Sequence, residues 1–170
     1  HQPMLSASGR SVIAYNGEIY NASEIAKELT EAGHRFRGHS DTEIMLEAFE
    51  RWGIEATLPR LAGMFAIAFY DRTTRRLTLI RDRLGKKPLY FGKSGDTLFF
   101  GSQPKSFFPH PHWRPQIERR SVAAFMRYGY VPAPRSIYVG LESLRPAERI
   151  DIVDGQVTRR TLYWNIREIA

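Results

Sequence analysis

The sequence predicts an α+β fold in which helices come first and strands follow in clusters. Two helical patterns with capping residues lie between Asn21 and Gly53. Apolar segments of strand length begin at Gly63, and two later pairs flank short turns in the manner of β-hairpins. Because the strands follow the helices instead of alternating with them, a layered α+β architecture is favoured over a doubly wound one.

The first third of the chain predicts one strand and two helices. The strand runs from Arg10 to Tyr15 and contains adjacent β-branched residues. Each helix begins with a capping-box pair, Asn21 with Glu24 and Ser40 with Glu43. A glycine follows each apolar pattern and is expected to end the helix. A short helix or turn is expected over residues 54–61.

The remainder predicts mainly strands. The segment GMFAIAFYD is apolar almost throughout, which indicates a strand buried on both faces, and RRLTLIRD alternates more. Hairpins are expected around Ser94-Gly95 and around Asp154-Gly155. One more helix is expected from Arg119 to Tyr128, and the proline-containing stretch after it is expected to be extended.

Composition narrows the function classes. The chain has 170 residues, 42% of them hydrophobic, a net charge of +7 and no cysteine. The absence of cysteine excludes disulfides, thiol catalysis and most structural zinc sites, and it is compatible with a cytoplasmic protein. No apolar run is long enough to cross a bilayer. The basic residues form short, scattered groups, which argues against a nucleic-acid partner, although the net charge keeps that alternative open.

Six motifs occur in a characteristic order: HQPM, YNGEIYN, HSDTE, LAGMFAIAFYD, RDRLGKKPLYF and RYGYVPAPRSIY. Together they resemble the glutaminase domain of the glutamine-dependent asparagine synthases, a class II glutamine amidotransferase domain. The resemblance implies the N-terminal nucleophile hydrolase fold, a layered αββα sandwich that is incomplete here at its N-terminus. It also implies a partial glutaminase domain over 1–129. Residues 130–170 would form its end and a linker toward an absent synthetase domain.

The resemblance implies a reaction as well. Glutamine is hydrolysed to glutamate and ammonia, and the ammonia serves the ATP-dependent amidation of aspartate. The implied partners are glutamine and the synthetase domain. The loss of strands expected upstream of His1 would leave sheet edges and apolar faces exposed, which predicts self-association, for example as a homodimer. ATP and magnesium are implied for the synthetase domain, and no cofactor is implied for this chain.

Four residues form the candidate site. Attack on a carboxamide creates an oxyanion that needs donors already aimed at it, and Asn16 and Gly17 offer a side-chain amide and a backbone N–H. The α-ammonium of glutamine requires carboxylates, which Glu18 and Asp41 supply. By resemblance, Asn16 and Gly17 form the oxyanion hole, and all four residues bind glutamine. Taken singly, Asn-Gly is also a turn pair, Asp41 suits a helix terminus, and Glu18 suits an exposed surface.

The sequence departs from the family at the nucleophile. Members begin with a cysteine whose thiol attacks glutamine and whose α-amino group serves as base, whereas this chain begins at His1 and contains no cysteine. The arginine that binds the α-carboxylate of glutamine is also expected upstream of His1. The chain as it stands is therefore expected not to hydrolyse glutamine.

Besides nucleic-acid binding, two alternatives remain open for the function. One is another class II amidotransferase with a different acceptor, and the other is a non-catalytic, glutaminase-like binding module. The pair Arg81-Asp82, which precedes the turn at Gly85, is interpreted as a structural network in preference to a surface facing the synthetase domain.

Overall fold

The computed structural model describes residues 2–168, which form two antiparallel sheets and four α-helices. The strands are β1 Met4–Leu5, β2 Ser11–Ile19, β3 Gly63–Asp71, β4 Arg76–Arg81, β5 Tyr90–Ser94, β6 Thr97–Gly101, β7 Leu141–Ser143, β8 Glu148–Val153 and β9 Gln156–Leu162. The helices are α1 Ala22–Glu31, α2 Asp41–Trp52, α3 Ile54–Thr57 and α4 Arg119–Tyr128. Short 3₁₀ turns occupy Leu58–Arg60, Pro104–Phe107 and Ile166–Glu168.

The two sheets pack face to face. The larger has the order β1-β2-β3-β4-β8-β9, and the smaller has the order β6-β5-β7. Helices α1 and α2 cover one face of the larger sheet, where Leu29 and Leu46 pack with Ile13 and Ile67. Its other face meets the smaller sheet through an apolar cluster that includes Leu79 and residues of β5 and β8. Beyond the smaller sheet, α4 lines a cavity shared with β5. These layers confirm the predicted α+β sandwich.

Most elements lie where the sequence places them. Strand β3 coincides with GMFAIAFYD and is buried over most of its length, and α4 spans the predicted Arg119–Tyr128. The two hairpins form as β5–β6 and β8–β9. Strands β1 and β7 were not predicted, because two or three residues carry too little periodicity to reveal a strand. The division of the chain near residue 130 stays a prediction, and β8 and β9 complete the larger sheet.

The predicted end of β2 is wrong. The strand continues past Tyr15 to Ile19 and pairs with β3 along its whole length. Asn16 and Gly17 therefore lie inside a strand, and the turn interpretation of this pair is wrong as well. The register explains the glycine, because a Cβ at Gly17 would clash with the Met64 carbonyl on β3.

The capping boxes form only in part. Ser40 caps α2 by accepting from the Glu43 N–H at 3.2 Å, but the Glu43 carboxylate accepts from the N–H groups of Arg37 and Gly38. Asn21 makes no side-chain cap on α1. Its amide instead joins the loop before β3, donating to the Arg60 carbonyl and accepting from the Ala62 N–H. The α2 box thus keeps its Ser40 cap but loses the reciprocal bond from Glu43, and the α1 box is replaced by bonds from Asn21 to the loop before β3.

Asp82 organises the loop after β4. Its buried carboxylate accepts from four backbone N–H groups, at 3.2, 3.1, 2.9 and 2.8 Å. The donors are Phe65, Leu84, Lys86 and Lys87. The adjacent Arg81 guanidinium donates to the carbonyls of Lys87, Gly85 and Leu144. These contacts support the structural interpretation of the Arg81-Asp82 pair.

We expect Asp82→Ala to lower the free energy of unfolding by about 3 kcal/mol, because four backbone N–H groups, one buried and three part-buried, lose a charged acceptor. Urea denaturation measures the change. The control is Asp96→Ala in the exposed β5–β6 turn, which should change stability by no more than about 0.5 kcal/mol. Equal stabilities for the two variants would contradict the proposed role of Asp82.

Asp71 should make the fold acid-sensitive. Hydrogen bonding to the Arg10 guanidinium, at 2.7 Å, lowers the pKa of Asp71 from 3.8 to about 2. A carboxyl whose pKa is lower in the folded state stabilises the fold above its unfolded pKa, and that contribution disappears as the pH falls through the folded pKa. The stability difference between wild type and Asp71→Asn should therefore shrink from pH about 4 to pH about 2. Urea denaturation across this range measures it, and the exposed Asp154→Asn should show no such trend.

Candidate functional site

Strand β2 presents Asn16 and Glu18 on one face. Successive side chains of a strand point to opposite faces, so Tyr15 joins the helix-side core while Asn16 lies opposite Ala66, on the face toward the smaller sheet. Asn16 is exposed, and its Nδ2 donates to the Ser102 Oγ at 3.0 Å. Ser102 directly follows β6, so this bond joins the two sheets at the candidate site.

The Gly17 N–H points to an open edge of the larger sheet. Within residues 2–168, strand β1 pairs with β2 at Val12 and Ile13 only, so none of the described strands covers the edge beyond them. The strand partner of Gly17 is Phe65, whose N–H and C=O are both bonded to Asp82. In an antiparallel pair, hydrogen-bonded and non-hydrogen-bonded residue pairs alternate along the strands. Gly17 and Phe65 form a non-hydrogen-bonded pair, so the Gly17 N–H points away from β3.

The N–H groups of Tyr15 and Ile19 confirm that the Gly17 N–H points to the open edge. The Tyr15 N–H donates to the Gln2 Oε1 at 2.6 Å, and the Ile19 N–H donates to the Asp41 Oδ2 at 3.3 Å. Residues 15, 17 and 19 direct their N–H groups to the same side of an extended strand. Gly17 therefore presents a backbone donor between two positions that are already bonded, on the edge that a ligand can reach.

Asp41 is the first residue of α2 and reaches β2 directly. Its Oδ2 accepts from the Tyr15 hydroxyl at 2.8 Å as well as from the Ile19 N–H. Burial, followed by the hydrogen bond to Asp41, raises the pKa of Tyr15, and the charge of Glu18 adds to this effect. The carboxylate also complements the helix dipole, so the helix-terminus interpretation holds together with a site role.

Glu18 is exposed, as expected for a surface residue. Within residues 2–168 it forms no ion pair within 4.0 Å. Besides burial, the charges of Asp41 and Glu18 both help to raise the pKa of Tyr15. The structure therefore places two acidic side chains around the end of β2, beside the donors of Asn16 and Gly17. A neutral acceptor group and a cationic group on one small ligand match this arrangement.

Sequence reasoning missed Gln2, Tyr15 and Ser102. Gln2 and Ser102 line a cavity of about 250 Å³ together with Asn16 and Phe100. Tyr15 is the first residue of the motif YNGEIYN and directly precedes Asn16, so its proximity to the site was visible in the sequence. Ser102 carried no local signal, because it lies 86 residues from Asn16 along the chain.

Residues 2–168 contain no group of three or more His, Cys, Asp or Glu side chains that could hold a metal ion. The residues described thus do not fit a magnesium site, and the ATP and magnesium requirement stays a prediction for the synthetase domain. None of the helices described is long and apolar enough to cross a membrane.

Comparison with known proteins identifies the family. A protein-family model described as the glutamine amidotransferase domain matches residues 1–164. The chain belongs to this family. The fold of this amidotransferase domain also occurs in a solved structure described as the allosteric regulatory enzyme of purine biosynthesis. That structure has a TM-score of 0.66 and 22% identity, over 96% of this chain and 31% of the other. The glutamine phosphoribosylpyrophosphate amidotransferase of Bacillus subtilis gives a TM-score of 0.65 at 22% identity, over 96% and 32% of the two chains.

Among the similar proteins, several are asparagine synthetases. Asparagine synthetase [glutamine-hydrolyzing] 3 of Bacillus subtilis is 36% identical over 91% of this chain and 25% of its own length. Asparagine synthetase [glutamine-hydrolyzing] 2 of the same organism is 32% identical over 99% of this chain and 23% of its own length. The chain thus spans about a quarter of the length of these relatives. The predicted family is confirmed, and the roles of Asn16, Gly17, Glu18 and Asp41 stay predictions.

We expect Tyr15→Phe to destabilise the fold by about 1.5–3 kcal/mol, because it removes a hydrogen bond to a charged, half-buried acceptor. Thermal or urea unfolding measures the loss. Tyr20→Phe is the matched control, since Tyr20 is exposed and should tolerate the same change with an effect below about 0.5 kcal/mol. If Tyr15→Phe leaves the free energy of unfolding unchanged, the hydrogen bond from Tyr15 does not hold Asp41 in place.

Proposed function

We propose that this chain is the glutamine-binding part of a glutamine-hydrolysing asparagine synthase. In the complete enzyme, glutamine is hydrolysed to glutamate and ammonia. The ammonia then serves the ATP-dependent conversion of aspartate to asparagine in a synthetase domain that this chain does not contain. The family match and the names of the relatives support the reaction class. The geometry of β2 supports the assignment of the glutamine site.

The observation that carries the proposal is the open-edge N–H of Gly17 beside the side-chain amide of Asn16. Hydrolysis of a carboxamide passes through a tetrahedral species whose oxygen bears negative charge, and donors fixed in advance stabilise it. The pairing of β2 with β3 already fixes the direction of the Gly17 N–H. Ligand binding therefore loses no further backbone entropy at this donor. The Asn16 amide adds a second donor from the adjacent residue.

The two acidic residues suit the other end of glutamine. The substrate carries an α-ammonium group, and a carboxylate is the complementary partner. Asp41 is fixed by the Tyr15 hydroxyl and by α2, whereas Glu18 is exposed and free to adjust. The site can thus recognise both ends of the substrate, the carbonyl oxygen by donors and the ammonium by carboxylates.

Turnover requires a nucleophile that this sequence does not contain. In the family that the chain resembles, the attacking group is a cysteine thiol, and the 170 residues include no cysteine. We therefore expect glutamine binding without hydrolysis by the chain itself. The same observation favours a second candidate function, a non-catalytic glutamine-binding module. A class II amidotransferase with another acceptor shares the glutamine site and differs only in the domain that receives ammonia.

Location and assembly are further proposals. A cytoplasmic protein is consistent with the cysteine-free sequence. A homodimer stays a proposal, and light scattering after size-exclusion chromatography would show it as a doubling of the 19.6 kDa mass.

Calorimetric titration with glutamine tests the proposed site. We expect wild type to bind glutamine and Asp41→Asn to bind about tenfold more weakly or not at all, because the variant removes the charge that pairs with the α-ammonium. Asparagine at this position keeps an acceptor for the Tyr15 hydroxyl, so the fold should remain intact.

Asp96→Asn removes one negative charge at a distant, exposed turn and serves as the control for net charge. It should bind glutamine as wild type does. Equal affinities for wild type and Asp41→Asn would contradict the ammonium assignment. Absence of binding by the correctly folded wild-type chain would contradict the proposal that this chain carries a preformed site.

A further inference from the structure

We propose that Ser102 is a positioning residue that orients the Asn16 amide toward the substrate carbonyl. The inference rests on the proposed function, because it assigns Ser102 a part in the same oxyanion site. Neither the motifs nor the family resemblance pointed to Ser102. It is the hydrogen bond from the Asn16 Nδ2 to the Ser102 Oγ, at 3.0 Å, that carries the inference.

An exposed asparagine needs such a partner to act as a fixed donor. Asn16 projects from β2 into an exposed position, where its side chain would otherwise sample several rotamers. The amide group is planar and has two N–H donors. Donation of one N–H to Ser102 fixes the amide plane, so the second N–H is also held in one direction. Ser102 thereby converts a mobile donor into one prepared before the substrate arrives.

Ser102 is itself firmly anchored. It directly follows Gly101, which pairs with Tyr90 at the end of the β5–β6 ladder. Phe107 packs closely against Gly101 and is buried. The Ser102 side chain is half-buried and lines the cavity that also contains Asn16. The anchor therefore belongs to the smaller sheet, whereas the donor belongs to the larger one.

The Ser102 hydroxyl retains a hydrogen of its own. It accepts from Asn16, and within residues 2–168 no acceptor for its hydrogen lies within hydrogen-bonding distance. Together with the N–H groups of Asn16 and Gly17, it makes the locality rich in donors. This composition favours the carbonyl oxygen of a carboxamide, which accepts hydrogen bonds and becomes more negative during hydrolysis.

The test uses Ser102→Ala in the complete chain, with two readouts. The first is the side-chain amide signal of Asn16 in a ¹H–¹⁵N NMR spectrum, which should shift and exchange faster with solvent when its acceptor is removed. The second is the dissociation constant for glutamine, which should rise about fivefold, as expected for the loss of one hydrogen bond. Ser102→Thr keeps the hydroxyl and should restore both readouts.

Ser106→Ala is the matched control, because its hydroxyl bonds to the Gln103 carbonyl in the neighbouring turn and does not contact Asn16. It should leave both readouts unchanged. Asn16→Ala supplies a double-mutant cycle, since Ser102→Ala should weaken glutamine binding little further once Asn16 has been removed. That non-additivity separates positioning through Asn16 from a direct contact of Ser102 with the ligand.

Two results would overturn the inference. One is an Asn16 amide signal that is the same in wild type and Ser102→Ala. The other is a fully additive effect of Ser102→Ala on glutamine affinity in the Asn16→Ala background. If wild type binds no glutamine but the Asn16 signal responds to Ser102→Ala alone, the proposed function fails for this chain, and the positioning of Asn16 by Ser102 is still supported.

Discussion

The register of β2 against β3 is the constraint on which the rest of the site depends. It places Gly17 opposite Phe65, whose backbone groups are both taken by Asp82, and it therefore leaves the Gly17 N–H on the open edge. A slip of one residue would move Asn16 to the helix-side core and Tyr15 to the exposed face. The lack of a Cβ at Gly17 and at Gly63 permits the close approach of the strands that maintains this register.

The candidate site joins three layers of the molecule. The larger sheet contributes the donors of Asn16 and Gly17, the helix layer contributes Asp41, and the smaller sheet contributes Ser102. The hydrogen bonds of Ser102 to Asn16 and of Asp41 to Tyr15 and Ile19 all end on β2, so this strand links the packing of the core to the candidate site. Under the proposed function this arrangement receives the carbonyl oxygen and the ammonium group of glutamine, and the sequence contains no thiol to attack it.

Most secondary structure was predictable because it depends on local patterns. The buried strand β3, the helix α4 and both hairpins followed from periodicity and turn residues. The errors arose where a distant partner overrode a local preference. The Asn-Gly pair suits a turn, yet nine residues of β3 hold it in a strand. Asn21 suits a helix cap, yet its amide bonds to the loop at residues 60 and 62.

The sequence by itself determined the family, the α+β class and the kinds of group available to the site. An amide, a glycine and a carboxylate in succession limit the chemistry wherever they lie, because donor and acceptor character belongs to the residue. Only the tertiary structure decided which way those groups point. The direction of the Gly17 N–H depends on pairing with β3, and the partner of Asn16 lies 86 residues away on the other sheet. Such contacts arise from the packing of layers, which no local pattern along the chain encodes.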